Sequence, residues 1–183
     1  MRDGAIDHGV VKAKRLADLS AADPGVRAEA LRWLGGNGDS VDVAAVAPLV
    51  QDPGEFDDRD HDDPPESART PVRLVALATL AELRPPGTFT ETFDRALHDD
   101  DRRVRGLAAM NASATGMLAR LAIEHDRGVQ FRVALALLVS DIGREEALTV
   151  LERLRTGDDH AAVAAACLLN AVSGSSPAND STG

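Results

Sequence analysis

One short pattern recurs along this chain of 183 residues and constrains its fold more than any other feature. An aspartate, two variable residues, a Val-Arg pair and then small apolar residues occur from Asp23 and again from Asp101. A related stretch begins at Thr70, and weaker copies begin at Gly128 and Asp158. Each copy has apolar residues at offsets 0, 4, 5 and 8, which form one stripe of an α-helix. The residues aligned at offset 0 are Val26, Val72, Val104, Phe131 and Ala161.

A shorter amphipathic stretch precedes each copy of the pattern. These stretches predict helices at about 5–19, 41–51, 89–98, 116–125 and 144–155. Turn-forming residues at 35–39 and 84–87, and Gly143, separate the units. The sequence therefore predicts an all-α solenoid of about five antiparallel helix pairs, forming a single repeat domain over residues 1–172.

Two segments fall outside this regular pattern. Residues 52–69 contain many aspartates and three prolines, and they predict a mobile acidic loop inserted in the second helix pair. Asp58, Asp60 and Asp62 alternate as in a calcium loop, but Asp63 and Arg69 stand where an EF-hand needs Gly and Glu. A solvated loop is favoured, and a partner-docking role stays open. The polar tail, residues 173–183, is predicted to be disordered.

The Asp-x-x-Val-Arg pattern, with its following Ala and Leu residues, resembles the HEAT repeat. It is closest to the short bacterial kind that also occurs in phycobiliprotein-lyase-like proteins. The resemblance is strong at 23–35 and 101–112, fair at 70–83 and weak in the last two units. The period of about 30 residues is shorter than the roughly 40–47 of most HEAT repeats. The resemblance implies a right-handed, armadillo-like superhelix.

The resemblance also implies structural roles for the charged residues of the pattern. The aspartate would cap the start of each second helix, where it can accept backbone N–H groups and complement the helix dipole. The arginine, one turn further on, would bridge to the acidic corner of a neighbouring unit. The residues of this predicted ladder are Asp23, Arg27, Arg73, Asp101, Arg105 and Arg132.

Charge and composition exclude several classes of function. Thirty acidic and 20 basic residues give a net charge of −10, which opposes general binding to nucleic acid or to an anionic membrane. Cys167 is the single cysteine, so neither a disulfide framework nor a cysteine-based zinc site is expected. The sequence has no signal-peptide h-region and no apolar stretch long enough to span a membrane. We therefore expect a cytoplasmic protein.

No catalytic constellation is recognisable. The nucleophile-elbow, P-loop and dinucleotide-binding motifs are absent from the sequence. Di-iron HEAT-repeat hydroxylases carry repeated His-Glu pairs, which this chain lacks. We therefore predict no catalytic residues, no metal and no cofactor. The five histidines are scattered among the units: His8, His61, His98, His125 and His160.

The leading functional prediction is a non-enzymatic scaffold or adaptor that binds another protein. Its binding surface would be the concave face of the second helices, which are apolar nearly all round, so this face is either an exposed groove or buried by tight curvature. Arg102 and Arg103 are the two residues of the third copy that the repeat does not explain. The candidate partner-binding residues are Arg32, Trp33, Arg73, Leu74, Arg102, Arg103, Leu107 and Met110.

Two alternatives remain open at the level of sequence. A lyase-like HEAT protein would handle a chromophore or small ligand in a deep pocket near Trp33, Arg73 or His98. A capping module of a larger assembly would expose an apolar end of its last helix. These hypotheses differ in where they place the binding surface.

Overall fold

The computed structural model describes residues 8–58, 69–83 and 88–174, and this part of the chain is mostly helical. The chain divides into two compact units, residues 1–88 and 89–183. The ten α-helices of the described ranges are α1 (His8–Asp18), α2 (Pro24–Asn37), α3 (Val43–Val46), α4 (Val72–Leu83), α5 (Thr90–Ala96), α6 (Arg102–Ala108), α7 (Ala114–Ile123), α8 (Arg127–Val139), α9 (Arg144–Leu154) and α10 (His160–Gly174).

The prediction of a mainly helical chain is confirmed, and a helix occurs at each predicted place. The stretch predicted as one helix over 41–51 is α-helical only over Val43–Val46 and continues as a 3₁₀ helix, Ala47–Gln51. Pro48 explains the change because it has no N–H to donate to the preceding turn of an α-helix. The single repeat domain over 1–172 stays a prediction.

In the first unit, α4 is the central element. It packs against α2, α3 and the 3₁₀ helix. Helix α1 packs against α2. Leu31 and Leu34 of α2 and Leu77 and Leu80 of α4 are fully buried, as the apolar stripe predicts. The Lys12 ammonium joins α1 to the residues before α3, because it lies 2.9 Å from carboxylate oxygens of both Asp39 and Asp42.

The ends of the acidic segment contain short strands, so the prediction of a loop is wrong for residues 55–57 and 69. Strands β1 (Glu55–Asp57) and β2 (Arg69–Pro71) form an antiparallel pair in which Phe56 lies opposite Thr70. Arg32 of α2 lies over the Phe56 ring, 5.2 Å from its centroid, and also pairs with Asp58. Charged residues of this segment thus find partners on α2. Residues 59–68, with Asp60 and Asp62, lie outside the described ranges.

In the second unit, the second helices contact one another in chain order. Helix α6 packs against α8, and α8 against α10, while α7 packs against α8 and α9 packs against both α8 and α10. Helix α5 packs on α6. The buried side chains at the centre of this unit include Leu97, Val104, Leu137, Leu151 and Leu154.

The register predicted for the fourth copy is wrong by two residues. Phe131 and Leu135 are only half-buried, and Val139 is 74% exposed. The buried stripe of α8 instead runs through Val129, Val133, Ala134, Ala136 and Leu137. Asp126 caps α8, so Val129 stands three residues after the cap, as Val26 and Val104 do in their helices. The cap position, and not the Phe-Arg pair, determines which face is buried.

The last helix extends further than predicted. Helix α10 continues through Gly174, so residues 173 and 174 are helical, whereas residues 175–183 lie outside the described ranges. Ala165 and Leu169 are buried against the unit, but Val163 is 64% exposed and Cys167 is also exposed. One face of α10 is therefore apolar and accessible.

Candidate functional site

Asp23 and Asp101 are helix caps, as predicted. The Asp23 side chain accepts a hydrogen bond of 2.7 Å from the Gly25 N–H, and Asp101 accepts one of 2.7 Å from the Arg103 N–H. Each carboxylate satisfies a donor that the first helical turn leaves without a partner. The capping role of the recurring aspartate is therefore confirmed at both positions.

Arg27 and Arg105 repeat one hydrogen-bonding geometry in the two units. Each directs Nη1 at two carbonyl oxygens just before its own helix, those of residues 21 and 22 or of residues 99 and 100. Each also forms a bidentate pair with a carboxylate at the end of the following helix. Arg27 pairs with Asp52 at 2.7 and 2.8 Å, and Arg105 pairs with Glu124 at 2.8 and 3.1 Å. Both arginines thus join consecutive elements of their unit.

Glu124 is a buried carboxylate that accepts hydrogen bonds from two arginines and two backbone N–H groups. Its side chain is 2% exposed, and it accepts from Arg105, from Arg120 at 2.8 Å and from the N–H groups of His125 and Asp126. Burial by itself raises the pKa of Glu124, but the Arg105, Asp126 and Arg120 hydrogen bonds outweigh it and lower the pKa to about 2. Glu124 is therefore charged at neutral pH and has a structural role.

The predicted role of Arg132 as the next rung of this ladder is wrong. Gln130 stands four residues after the Asp126 cap, where Arg27 and Arg105 stand after theirs, and it donates to the Glu124 carbonyl oxygen. Arg132 lies two residues further along α8 and forms no ion pair with the described residues. Its side chain crosses to α6 and lies on Gly106. Arg132 is thus available for another role.

A cavity of about 740 Å³ lies where the N-terminal ends of α6, α8 and α10 meet. Four arginines surround it, so we call it the arginine pocket. Two aspartates and two histidines also line it. Its lining residues are Arg102, Arg103, His125, Asp126, Arg127, Gly128, Val129, Arg132, Asp159, His160 and Ala161.

Two of the four arginines are neutralised by carboxylates. Arg103 donates to both oxygens of Asp101, from Nε to Oδ1 at 3.2 Å and from Nη2 to Oδ2 at 2.7 Å. Arg127 donates to Asp159 at 2.7 Å and to the Leu154 carbonyl oxygen. The Arg127 hydrogen bond lowers the pKa of Asp159. Burial raises the pKa of Asp101, but hydrogen bonds from Arg103 reverse the effect, and the net shift is downward. Both aspartates therefore stay ionised at neutral pH.

The other two, Arg102 and Arg132, are weakly paired. Arg102 is 74% exposed and has one ion-pair contact, to Asp126 at 3.5 Å, which is at the long limit for a hydrogen bond. Arg132 packs on Gly106, one helical turn beyond Arg102 and Arg103 on α6. Arg102 and Arg103 thus belong to the first turn of α6, and Arg132 reaches the same helix at Gly106, while Asp101 neutralises only one of the three. This excess of positive charge suits an anionic ligand.

The structure brings together only part of the predicted partner-binding set. Arg102 and Arg103 line the arginine pocket, whereas Leu107 is half-buried and Met110 is 50% exposed. In the first unit, Trp33 stacks against His8 at 5.2 Å, Arg32 contacts Phe56, and Arg73 and Leu74 are half-buried. The predicted concave face of the second helices is partly buried and partly exposed: Val75 is buried, but Val163 is exposed.

Sequence reasoning missed Arg127, Asp159, His125 and His160. A signal was present, because Asp126 stands three residues before Val129, as in the two strongest copies of the pattern. Alignment on the Phe-Arg pair concealed it and placed Arg132 in the wrong role. The lyase-like hypothesis expected its pocket near Trp33, Arg73 or His98, and none of these lines the cavity.

In the described ranges, no group of three or more His, Cys, Asp or Glu side chains is placed to hold a metal ion. None of the helices in those ranges combines the length and the apolar character that crossing a membrane requires.

The chain has no match among known family models, curated proteins or solved structures. The described part of the chain is predominantly helical and carries an arginine-lined cavity in its second unit.

Proposed function

We propose that this protein is a non-enzymatic helical-repeat module that binds another protein by an anionic segment seated in the arginine pocket. The observation that carries the proposal is the presence of two weakly paired arginines at one cavity in a chain of net charge −10. Arginine forks recognise carboxylates and phosphates through paired hydrogen bonds, so such side chains favour an anionic partner.

The repeated geometry of Arg27 and Arg105 supports a HEAT-like arrangement of helix pairs, which we propose to form a right-handed solenoid. In both cases an aspartate caps the helix, and the arginine four residues later pairs with a carboxylate at the end of the next helix. This pair connects the two elements. Local structure that repeats in this way is expected when equivalent helices stack in equivalent surroundings. The arrangement would place the arginine pocket at one edge of the stacked second helices.

The proposal is tested by replacing both weakly paired arginines, Arg102→Gln and Arg132→Gln, in one variant. Fluorescein-labelled degenerate peptides with an Asp, a Glu or a phosphoserine at the centre are titrated with the full chain, and anisotropy is measured at low salt. We expect at least one anionic set to bind, and the variant to bind it at least about tenfold more weakly, because each charge-assisted pair contributes about 1.5 kcal/mol or more.

Arg155→Gln is the matched control for this experiment. Arg155 is half-exposed and pairs with Glu152, away from the pocket. Its replacement changes the net charge by one and should leave peptide binding within about twofold of the original. If all three anionic sets bind the double variant and the original equally well, the pocket is not the binding site.

Gly106→Ala tests the geometry of the pocket without removing any charge. A Cβ at position 106 would overlap Arg132 Nη1, so the arginine side chain must move off α6. Gly106 is helical, and Ala stabilises a helix interior by about 0.5–1 kcal/mol relative to Gly. We therefore expect weaker anion binding without a loss of stability, measured by anisotropy and by urea unfolding. Lower stability together with weaker binding would indicate a damaged fold instead.

A further inference from the structure

We propose that the anionic group bound by the arginine pocket is a single phosphorylated serine or threonine of the partner protein. The proposal rests on the proposed function and deepens it, because it specifies which anion the weakly paired arginines recognise. The argument uses the number of open arginine forks, their charge and the carboxylates between them.

The first step concerns hydrogen bonding. Arg103 and Arg127 already donate to Asp101 and Asp159, whereas Arg102 and Arg132 keep most of their donors open. These two arginines begin on neighbouring helices, and Arg132 crosses to the α6 backbone at Gly106. The acceptor sites of a carboxylate lie in one plane, whereas a phosphate monoester presents three oxygens in a tetrahedral arrangement and can accept from two forks that approach from different helices.

The second step concerns charge. Four arginines line the cavity, and Asp126, Asp159 and the adjacent Asp101, which pairs with Arg103, oppose them, which gives 4 − 3 = +1 with neutral histidines. A phosphorylated side chain carries about −1.5 to −2 at neutral pH, so the two weakly paired arginines attract it more strongly than they attract one carboxylate of charge −1.

The third step concerns what surrounds the phosphate. Asp126 and Asp159 lie between the arginines, so a run of glutamates or aspartates entering the cavity would meet two negative charges. A single phosphate between uncharged neighbours avoids this repulsion. The same aspartates and the chain's net charge of −10 oppose a polynucleotide, which would bring several phosphates close together.

The test compares retention of degenerate peptide libraries on the immobilised full chain. The libraries have the same uncharged flanking residues and carry phosphoserine, phosphothreonine, serine or glutamate at the centre. We expect at least tenfold greater retention of a phosphorylated library than of the serine and glutamate libraries. We also expect loss of this preference in the Arg102→Gln, Arg132→Gln variant, and unchanged retention in the Arg155→Gln control. Circular dichroism of each variant checks that the fold is preserved.

The outcomes separate this inference from the proposed function. If glutamate and phosphorylated peptides are retained equally and both depend on the two arginines, the phosphate inference fails and the proposed function stands. If the original chain retains no library more strongly than the double variant does, the phosphate inference and the proposed function both fail. Inorganic phosphate that binds as tightly as the phosphopeptides would instead indicate a small phosphorylated ligand, and a single-stranded RNA that binds more tightly would indicate a nucleic acid. Either result overturns the inference.

Discussion

Replacement of Glu124 by Gln is expected to lower the free energy of unfolding by about 3 kcal/mol at neutral pH. The side chain is 2% exposed, and both Arg105 and Arg120 donate to it. The substitution keeps the shape of the side chain but leaves two mostly buried guanidinium groups without a carboxylate. Urea unfolding followed by circular dichroism measures the change.

The same substitution is expected to remove part of the acid sensitivity of the protein. The pKa of Glu124 is lowered to about 2, so its contribution to stability is fully present above the ordinary pKa of about 4.5 and is lost as the pH falls through about 2. The difference in unfolding free energy between the two proteins should therefore shrink between pH 4.5 and pH 2. The difference between the original protein and the variant gives the contribution of Glu124 to this pH dependence, because the other carboxylates are the same in both.

Glu152→Gln is the matched control, because Glu152 pairs with Arg155 on the surface and both side chains are about half-exposed. Such pairs contribute about 0–1 kcal/mol, so the control should change stability little. If Glu124→Gln costs no more than Glu152→Gln, the Arg105–Glu124–Arg120 cluster does not stabilise the second unit as its geometry indicates.

Leu137→Ala is expected to cost about 2–5 kcal/mol of unfolding free energy, because Leu137 is completely buried in α8 and its truncation leaves a cavity. Val133→Ala and Val139→Ala form a matched pair on the same helix. Val133 is also completely buried, so its truncation should lower the unfolding free energy by about 2 kcal/mol. Val139 is largely exposed, so its truncation should lower it by less than about 0.5 kcal/mol. Thermal and urea unfolding of the three variants measures these differences.

These variants decide between two registers of α8. The Phe-Arg alignment predicts that Phe131, Leu135 and Val139 form the buried stripe, whereas the structure buries Val129, Val133 and Leu137. A larger loss of stability from Val139→Ala than from Val133→Ala would favour the alignment and contradict the structure. The result also bears on Arg132, because the predicted register would give it the position of Arg27 and Arg105, whereas the observed register places it at the arginine pocket.

Sequence reasoning located the helices well because their signals are local. The apolar stripes of α2, α4 and α6 and the caps Asp23 and Asp101 depend on residues within one or two turns, and all are present in the structure. It did less well in α8, where every position from Val133 to Val139 is apolar. Periodicity cannot choose a face in such a stretch, and packing against α6, α9 and α10 makes the choice.

The candidate site was only partly predictable for a related reason. Arg102 and Arg103 stood out because the repeat does not explain them, and both line the arginine pocket. Arg127, Asp159 and His160 did not stand out, because each is an ordinary charged or polar residue at the start of its own helix. They form a site only through the meeting of helices that are 25 or more residues apart in the chain. The pairing of Arg27 with Asp52, which orders the start of the acidic segment, was hidden in the same way.

By itself, the sequence determined that the chain is mainly helical, where most helices begin, and which aspartates cap them. These properties follow from backbone hydrogen bonds and side-chain spacing within a few residues. The tertiary structure alone decided which face of α8 is buried, which carboxylate neutralises each arginine, and which arginines remain weakly paired at a cavity. Those properties depend on contacts between distant segments, where burial and charge pairing are settled by the neighbouring helices.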